Sequence, residues 1–334
     1  MLVGKINVYI IMIGIVFLMF SASSWASAED GALDADRWLQ EGFRQQQNNN
    51  IENAIKAYSR AIELRNNYLE ALFARGYCYS ITKTTDLAIA DFSRVIAINP
   101  NIPIAYYLRG LCYGIKAVAE NNSMYYYSEV DDQSKVIQLD PRYADAYYER
   151  GLAYVCLHNY DSAIKDYDVY TTLKPDDVRG FYNRAMSYQS KGKIDLALKD
   201  YAMAIKVNPA DERIYYNRGV LYYEKGKNEL AIQDFSTAIS IKDDVAANYY
   251  MRGIIYFAMK KYDLALKDLD KSIALKHIKG YFGKALVCEK LGQYDKEIEL
   301  LTLFLEYNSP YNVSENMMAQ DYLNKAQRMY RKAK

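Results

Sequence analysis

The chain is poor in the residues that most chemistry needs. It has only 2 His and 4 Cys in 334 residues. His158 and His277 both fall between predicted helices, with no Cys, Ser or carboxylate partner at a telling spacing. A His-x-x-x-His pair, a Cys-x-x-Cys pair and a phosphate-cradling glycine loop are all missing, which removes the usual metal, redox and nucleotide motifs. The reading is of a protein that is not an enzyme, with no cofactor, no metal site and two exposed turn histidines. Cys78, Cys112, Cys156 and Cys288 do not show the staple pattern of a small secreted domain. Cys78 and Cys112 hold equivalent places on helices whose axes lie about 8–10 Å apart, which speaks against a disulfide. All four are expected to be small, buried packing residues.

Net charge is scarce too. The chain carries 42 basic and 41 acidic residues, which gives no case for nucleic acid or an anionic membrane surface. The basic end, Arg328–Lys334, suits a helix C-terminus. The long apolar run is at the start. Lys5 precedes the apolar stretch Ile6–Phe20, and Ala26-Ser27-Ala28 stands just before Glu29 and Asp30. This is the pattern of a secretory signal over residues 1–28. The run is short for a membrane span, which takes about 20 residues. The chain is therefore expected to be exported, periplasmic or secreted, and to touch a membrane only if this segment is retained as an anchor. Residues 29–34 read as a short segment before the first repeat.

What the chain has is a period. Small residues recur at Gly42, Gly76, Gly110, Gly151, Ala185, Gly219, Gly253 and Ala285, mostly 34 residues apart. A fixed period of this length marks a helix–turn–helix array. With the small residue numbered as place 8, place 4 is aromatic or Leu in all copies, from Trp38 and Leu72 to Tyr249 and Tyr281. Place 11 is Tyr in repeats 2 to 7, place 20 is mostly Ala, and place 24 is mostly aromatic. Pro100, Pro141, Pro175 and Pro209 close four copies. Places 4, 8 and 11 share one helical stripe, and places 20, 24 and 27 share another. A small residue at place 8 is expected to face a small residue at place 20.

These places resemble the tetratricopeptide repeat family over nearly all of residues 35–311. The resemblance implies an all-α, helix–turn–helix solenoid wound as a right-handed superhelix. Its repeats would span 35–68, 69–102, 103–143, 144–177, 178–211, 212–245, 246–277 and 278–311. A capping helix would follow over 312–334, begun by Ser314 as N-cap and using Met318, Tyr322, Ala326 and Met329 as its inner face. Repeat 3 carries seven extra residues around Ala117–Glu129 and is expected to protrude as a second contact point. Repeat 7 is short and repeat 8 degenerate. The polar run Gln45–Asn50 reads as a solvated loop.

Arg fills place 7 in repeats 2 to 7: Arg75, Arg109, Arg150, Arg184, Arg218 and Arg252. Asp fills place 23 in the same repeats: Asp91, Asp132, Asp166, Asp200, Asp234 and Asp268. Repeats 1 and 8 have Glu41 with Ala57 and Lys284 with Leu300, so the two types appear and vanish together. An unpaired buried guanidinium is very costly, and Arg meets a carboxylate bidentately. A structural ladder of Arg–Asp pairs follows, within a repeat or between neighbours.

Places 5, 9 and 12 lie about 120° from the core stripe, and in the family this face points into a concave groove. Place 5 is Phe73, Tyr107, Tyr148, Tyr182, Tyr216, Tyr250 and Phe282. Place 9 includes Tyr77, Leu111, Leu152, Met186, Val220 and Ile254, and Tyr223 and Phe257 add aromatics at place 12. Such a row either seals the seams between repeats or binds a partner peptide or helix. The functional expectation is a protein–protein interaction scaffold or adaptor. The alternative is a glycan- or peptidoglycan-associated envelope scaffold, whose tyrosine faces stack on sugar rings.

Overall fold

The computed structural model describes residues 30–333. The expected signal at 1–28 lies outside the described residues. Among those residues there are seventeen helices and no strand. The chain divides into two compact units, one up to Asp140 and one from Pro141.

The first unit holds α1 (Asp30–Gln47), α2 (Ile51–Leu64), α3 (Leu69–Ile81), α4 (Thr85–Ile98), α5 (Pro103–Ala119) and α6 (Met124–Leu139). The second holds α7 (Ala144–Cys156), α8 (Tyr160–Leu173), α9 (Val178–Ser190), α10 (Ile194–Val207), α11 (Glu212–Glu224) and α12 (Asn228–Ile241), followed by α13 (Ala246–Ala258), α14 (Tyr262–Ala274), α15 (Lys279–Lys290), α16 (Tyr294–Tyr307) and α17 (Val313–Ala333). Within each unit every helix packs on the next. Each unit is thus a helical solenoid.

The turn inside each hairpin has one fixed requirement. Asn49, Lys83, Asn121, His158, Gly192, Gly226, Lys260 and Gly292 all have positive φ, between 49° and 69°. A left-handed residue here ends the first helix and lets the chain turn back. Entry to the first helices is set by Pro103 at the start of α5 and by Asp177 and Asp211, whose side chains accept from the backbone N–H of Arg179 and Arg213.

The second-helix stripe is fully buried. Places 20, 24 and 27 form the core, from Ala54, Tyr58 and Ala61 in α2 to Ala231, Phe235 and Ala238 in α12. The first-helix stripe is rotated from the expected one. Places 3, 4, 8 and 10 are its most buried positions, as with Ala71, Leu72, Gly76 and Cys78 in α3, while the place 11 tyrosines are half-buried. The small residue at place 8 chiefly makes room for place 24, not place 20. A Cβ at Gly42 would sit 2.3 Å from the Tyr58 ring, and one at Gly151 would sit 2.7 Å from that of Tyr167.

The seven extra residues of repeat 3 lengthen α5 to 17 and α6 to 16 residues, against 13 and 14 for α3 and α4. Ile115, Val118, Met124 and Tyr127 stand exposed on this longer hairpin. Several expectations need correction. The chain is already helical from Asp30, so residues 30–34 run into α1 without a break. Gln45 and Gln46 are helical, and Gln46 accepts the Tyr58 hydroxyl proton at 2.7 Å, so only Asn48–Asn50 form the turn. Trp38 is 42% exposed because no earlier helix pair among the described residues packs on α1. Ser314 lies inside α17, one residue past its start. The seated face of α17 is Ala319, Leu323 and Ala326 with Tyr322 beside it, while Met318 and Met329 are exposed. Cys78, Cys112 and Cys288 are buried, but Cys156 is exposed, at the last residue of α7. His277 is half-buried: its Nδ1 lies 3.2 Å from the Ser272 hydroxyl and its ring meets Tyr250 edge-on at 4.9 Å. Burial, then Lys279, lowers its pKa.

Place 24 also explains a pairing inside the hairpins. The Tyr58 and Tyr201 hydroxyls donate to Gln46 and Gln189, both at place 12, at 2.7 and 3.2 Å. In repeat 4 place 12 is Val155, and the Tyr167 hydroxyl is buried with no hydrogen-bond partner. Tyr167→Phe is therefore expected to stabilise the protein by about 1 kcal/mol, because it removes a desolvated, unpaired donor. Urea unfolding checks this, and a loss of stability would show that the hydroxyl has a partner after all.

Candidate functional site

Two rows of side chains claim attention: the arginines and the aromatic face. The arginines are brought together with their aspartates in every repeat that has both. Arg75 holds Asp91 with Nε and Nη2, both at 2.8 Å. The same two-pronged contact joins Arg109 to Asp132, Arg150 to Asp166, Arg184 to Asp200, Arg218 to Asp234 and Arg252 to Asp268. Both members of each pair come from one repeat. Where that side chain offers an oxygen, the third nitrogen reaches back to place 25 of the preceding repeat. Arg75 Nη1 donates to Ser59, Arg109 to Ser93, Arg184 to Asp168 and Arg252 to Ser236, at 2.8–3.0 Å.

These pairs are nearly sealed. Side-chain exposure is 19% for Arg218 and 4% for Asp234. Burial pushes the Asp132 and Asp166 carboxyls up, against the pull of Arg109 and Arg150. Place 4 and place 11 rings flank the guanidinium: Arg218 lies 5.8 Å from the Tyr215 ring and 5.7 Å from the Tyr222 ring. The end repeats differ. Glu41 turns to Arg44 within its own helix. Lys284 keeps only the backward contact, to Asp270 at 2.5 Å. With each charge matched, the row has no spare cation for a ligand.

The aromatic face is more divided. Several place 5 rings pack edge-on against place 24 of their own repeat. Phe73 meets Phe92 at 5.7 Å, Tyr182 meets Tyr201 at 6.0 Å and Tyr216 meets Phe235 at 5.7 Å, while in repeat 8 Phe282 lies tilted against Phe304, at place 27, at 5.4 Å. Tyr107 is buried, so it offers nothing to a partner. Tyr148 and Tyr182 are also seam residues. Arg179 lies 4.7 Å over the Tyr148 ring, and Asn183 donates to its hydroxyl at 3.2 Å. Arg213 and Asn217 repeat this at Tyr182, the second at 2.8 Å. Burial pushes the Tyr148 hydroxyl up to about 12. Sequence reasoning passed over Arg179, Asn183, Arg213 and Asn217. Their signal was present, as Arg at place 2 and Asn at place 6 in repeats 5 and 6.

Place 9 stays open. In the first unit Tyr77 and Leu111 are half-buried. In the second, Leu152, Val220, Ile254 and Leu286 are half-buried and Met186 is 44% exposed. Tyr223 and Phe257 are half-buried beside Val220 and Ile254. Tyr250 packs against His277.

Family models described as tetratricopeptide repeat match residues 39–103, 144–177, 212–244 and 246–276, and one described as TPR repeat matches 186–226. Together they cover more than half of the chain. The chain belongs to the tetratricopeptide repeat family. No curated protein matches it by sequence. Solved tetratricopeptide repeat structures share its fold. The C-terminal part of a repeat protein from Cytophaga hutchinsonii is 16% identical, with a TM-score of 0.62 over 72% of this chain and 98% of its own. A repeat protein from Parabacteroides merdae is 19% identical, with a TM-score of 0.54 over 82% of this chain and 99% of its own. YrrB, described as having an unusual peptide-binding site, is 22% identical, with a TM-score of 0.50 over 62% of this chain and 99% of its own. Among the described residues no tetratricopeptide helix is long and apolar enough to cross a membrane.

Proposed function

We propose that this protein is an interaction scaffold that holds a segment of another protein on the place 9 face of its second unit. The supporting observation is the row Leu152, Met186, Val220, Ile254 and Leu286. It is apolar in five successive repeats and yet half-buried or exposed. Folding alone would have covered such a row or made it polar, and contiguous open apolar surface marks binding sites. Tyr223 and Phe257 widen it with the residue type that interfaces favour. The bound segment would be extended or helical and would present apolar side chains at regular spacing. Peptide binding by a structurally similar protein, YrrB, agrees with this reading. The glycan reading has less support, since Arg179 and Arg213 lie over the Tyr148 and Tyr182 rings.

The row makes a specific prediction. A photo-crosslinking residue at position 254 or 186 should capture one partner in extracts of the source cells. The same residue at Met203, which is exposed on a second helix, should not. Ile254→Glu should abolish capture from position 186 and leave the circular dichroism spectrum unchanged. Equal yields from positions 254 and 203 would defeat the proposal.

A further inference from the structure

Place 20 is Ala, fully buried, in six of the repeats. The two exceptions are both glutamates. In repeat 3 Glu129 is received by Gly114 at place 12, where a Cβ would come within 2.5 Å of its carboxylate. In repeat 8 the equivalent residue is Glu297, and place 12 is another acid, Glu289. Glu297 is 1% exposed, and one of its oxygens is buried with no hydrogen-bond partner. Glu289 on α15 accepts from Lys325 of α17 at 2.6 Å and has Lys290 at 3.8 Å. The groups facing Glu297 are thus Glu289, Lys290 and the Cys288 thiol from α15, and Lys325 from α17.

A charge in this position is poorly served. It is cut off from water, it stands beside a second carboxylate, and the nearest ammonium from α17 is already engaged. The helix that can yield is α17. Its apolar seat is narrow, Ala319, Leu323 and Ala326, supplemented by the surface pairs Lys325–Glu289 and Lys279–Glu315. Among the described residues α17 packs chiefly on α16, and an element with one main neighbour opens at the least cost. We infer that Glu297 is a pH-dependent latch: α17 seats fully while the carboxyl holds its proton and loosens when it ionises.

The sign follows from linkage. Burial, then Glu289, raises this carboxyl from 4.5 to about 7, while Lys325 and Lys290 pull it down. A raised carboxyl favours the closed state at low pH. That advantage is complete below the ordinary value and is lost as pH climbs through about 7. Loosening would uncover the Leu301 and Phe304 face of α16, so the end of the stack would become available in neutral to alkaline conditions.

Hydrogen exchange on the full chain, read by mass spectrometry and corrected for the intrinsic effect of pH, tests this. Protection of α17 should fall at least about tenfold between roughly pH 5.5 and 8.5, while that of α10 stays level. Glu297→Gln and Glu297→Ala should hold α17 protection level. The second places the residue found in six other repeats, so it should fold. Glu289→Gln removes the neighbouring negative charge and should move the transition to lower pH. Level protection of α17 in the parent chain, the same fall in both Glu297 variants, or an unmoved transition in Glu289→Gln would each overturn the inference.

Discussion

Arg218→Ala is expected to lower the free energy of unfolding by about 3–5 kcal/mol, and Arg218→Leu combined with Asp234→Leu to recover much of that loss. The asymmetry arises from what each change leaves behind. The single change strands the Asp234 carboxylate, 4% exposed, without the two hydrogen bonds at 2.7 and 2.8 Å that replaced its water. The double change removes both charges and leaves two apolar side chains of similar size beside Tyr215 and Tyr222. Arg218 is the cleanest arginine to test. Place 25 of the preceding repeat is Ala202, which offers no acceptor side chain, so the measurement reports the pair within one repeat. Urea unfolding of the three variants, followed by circular dichroism, decides the matter. If both the single and the double change are silent, the ladder holds nothing together.

The ladder was legible because it repeats. Eight internal copies showed Arg and Asp arriving and leaving together, and a bidentate fit is the low-cost way to bury both. Which repeat supplied the aspartate was not legible, since place 23 faces two neighbours at once on a helical wheel. The backward reach to place 25 escaped for another reason. Its acceptors change chemistry from Ser59 and Ser93 to Asp168 and Asp270, so no single residue type marks the position. Place 3 was missed in the same way. Ala71, Gly180, Ile214 and Asn248 have only their burial in common, and Asn248 is buried with both side-chain polar atoms unpaired. The hairpin turn hides its left-handed residue behind Asn, Lys and His, which tolerate that backbone less readily than Gly.

The aromatic face was legible as a row but not as a division of labour. One tyrosine at place 5 looks like the next in sequence. Whether its ring seals a seam depends on what the following repeat places over it. Arg179 and Arg213 cover Tyr148 and Tyr182, whereas Ala247 holds the corresponding place after Tyr216. Place 9 was set apart from place 5 by contacts, since several place 5 rings rest on place 24 of their own repeat. The protruding hairpin could be read from length alone, because extra residues between two periodic stripes can only lengthen the helices or loop out.

The second large effect is expected at Phe235. Phe235→Ala should cost about 3–5 kcal/mol, the usual range for emptying a sealed aromatic site. The ring is fully buried and lies against the backbone of Gly219, where an added Cβ would be 3.1 Å away. Nothing can collapse into the space from that side, since glycine has no side chain to turn inward. On the other side Tyr216 rests edge-on against the ring at 5.7 Å, so its support is lost as well. In a stacked array this loss falls on repeat 6 and its two interfaces and does not spread evenly. Two consequences follow. Unfolding in urea should become less cooperative, with protection lost first in α11 and α12. Crosslinking from position 254 should weaken as well, because Val220 and Tyr223 share α11 with the unsupported Tyr216. Phe235→Leu, which refills most of the volume, should restore both. A Phe235→Ala protein that melts in one step within about 1 kcal/mol of the parent would show that the hairpin closes around the gap, and that place 24 is not the wedge on which each repeat is built.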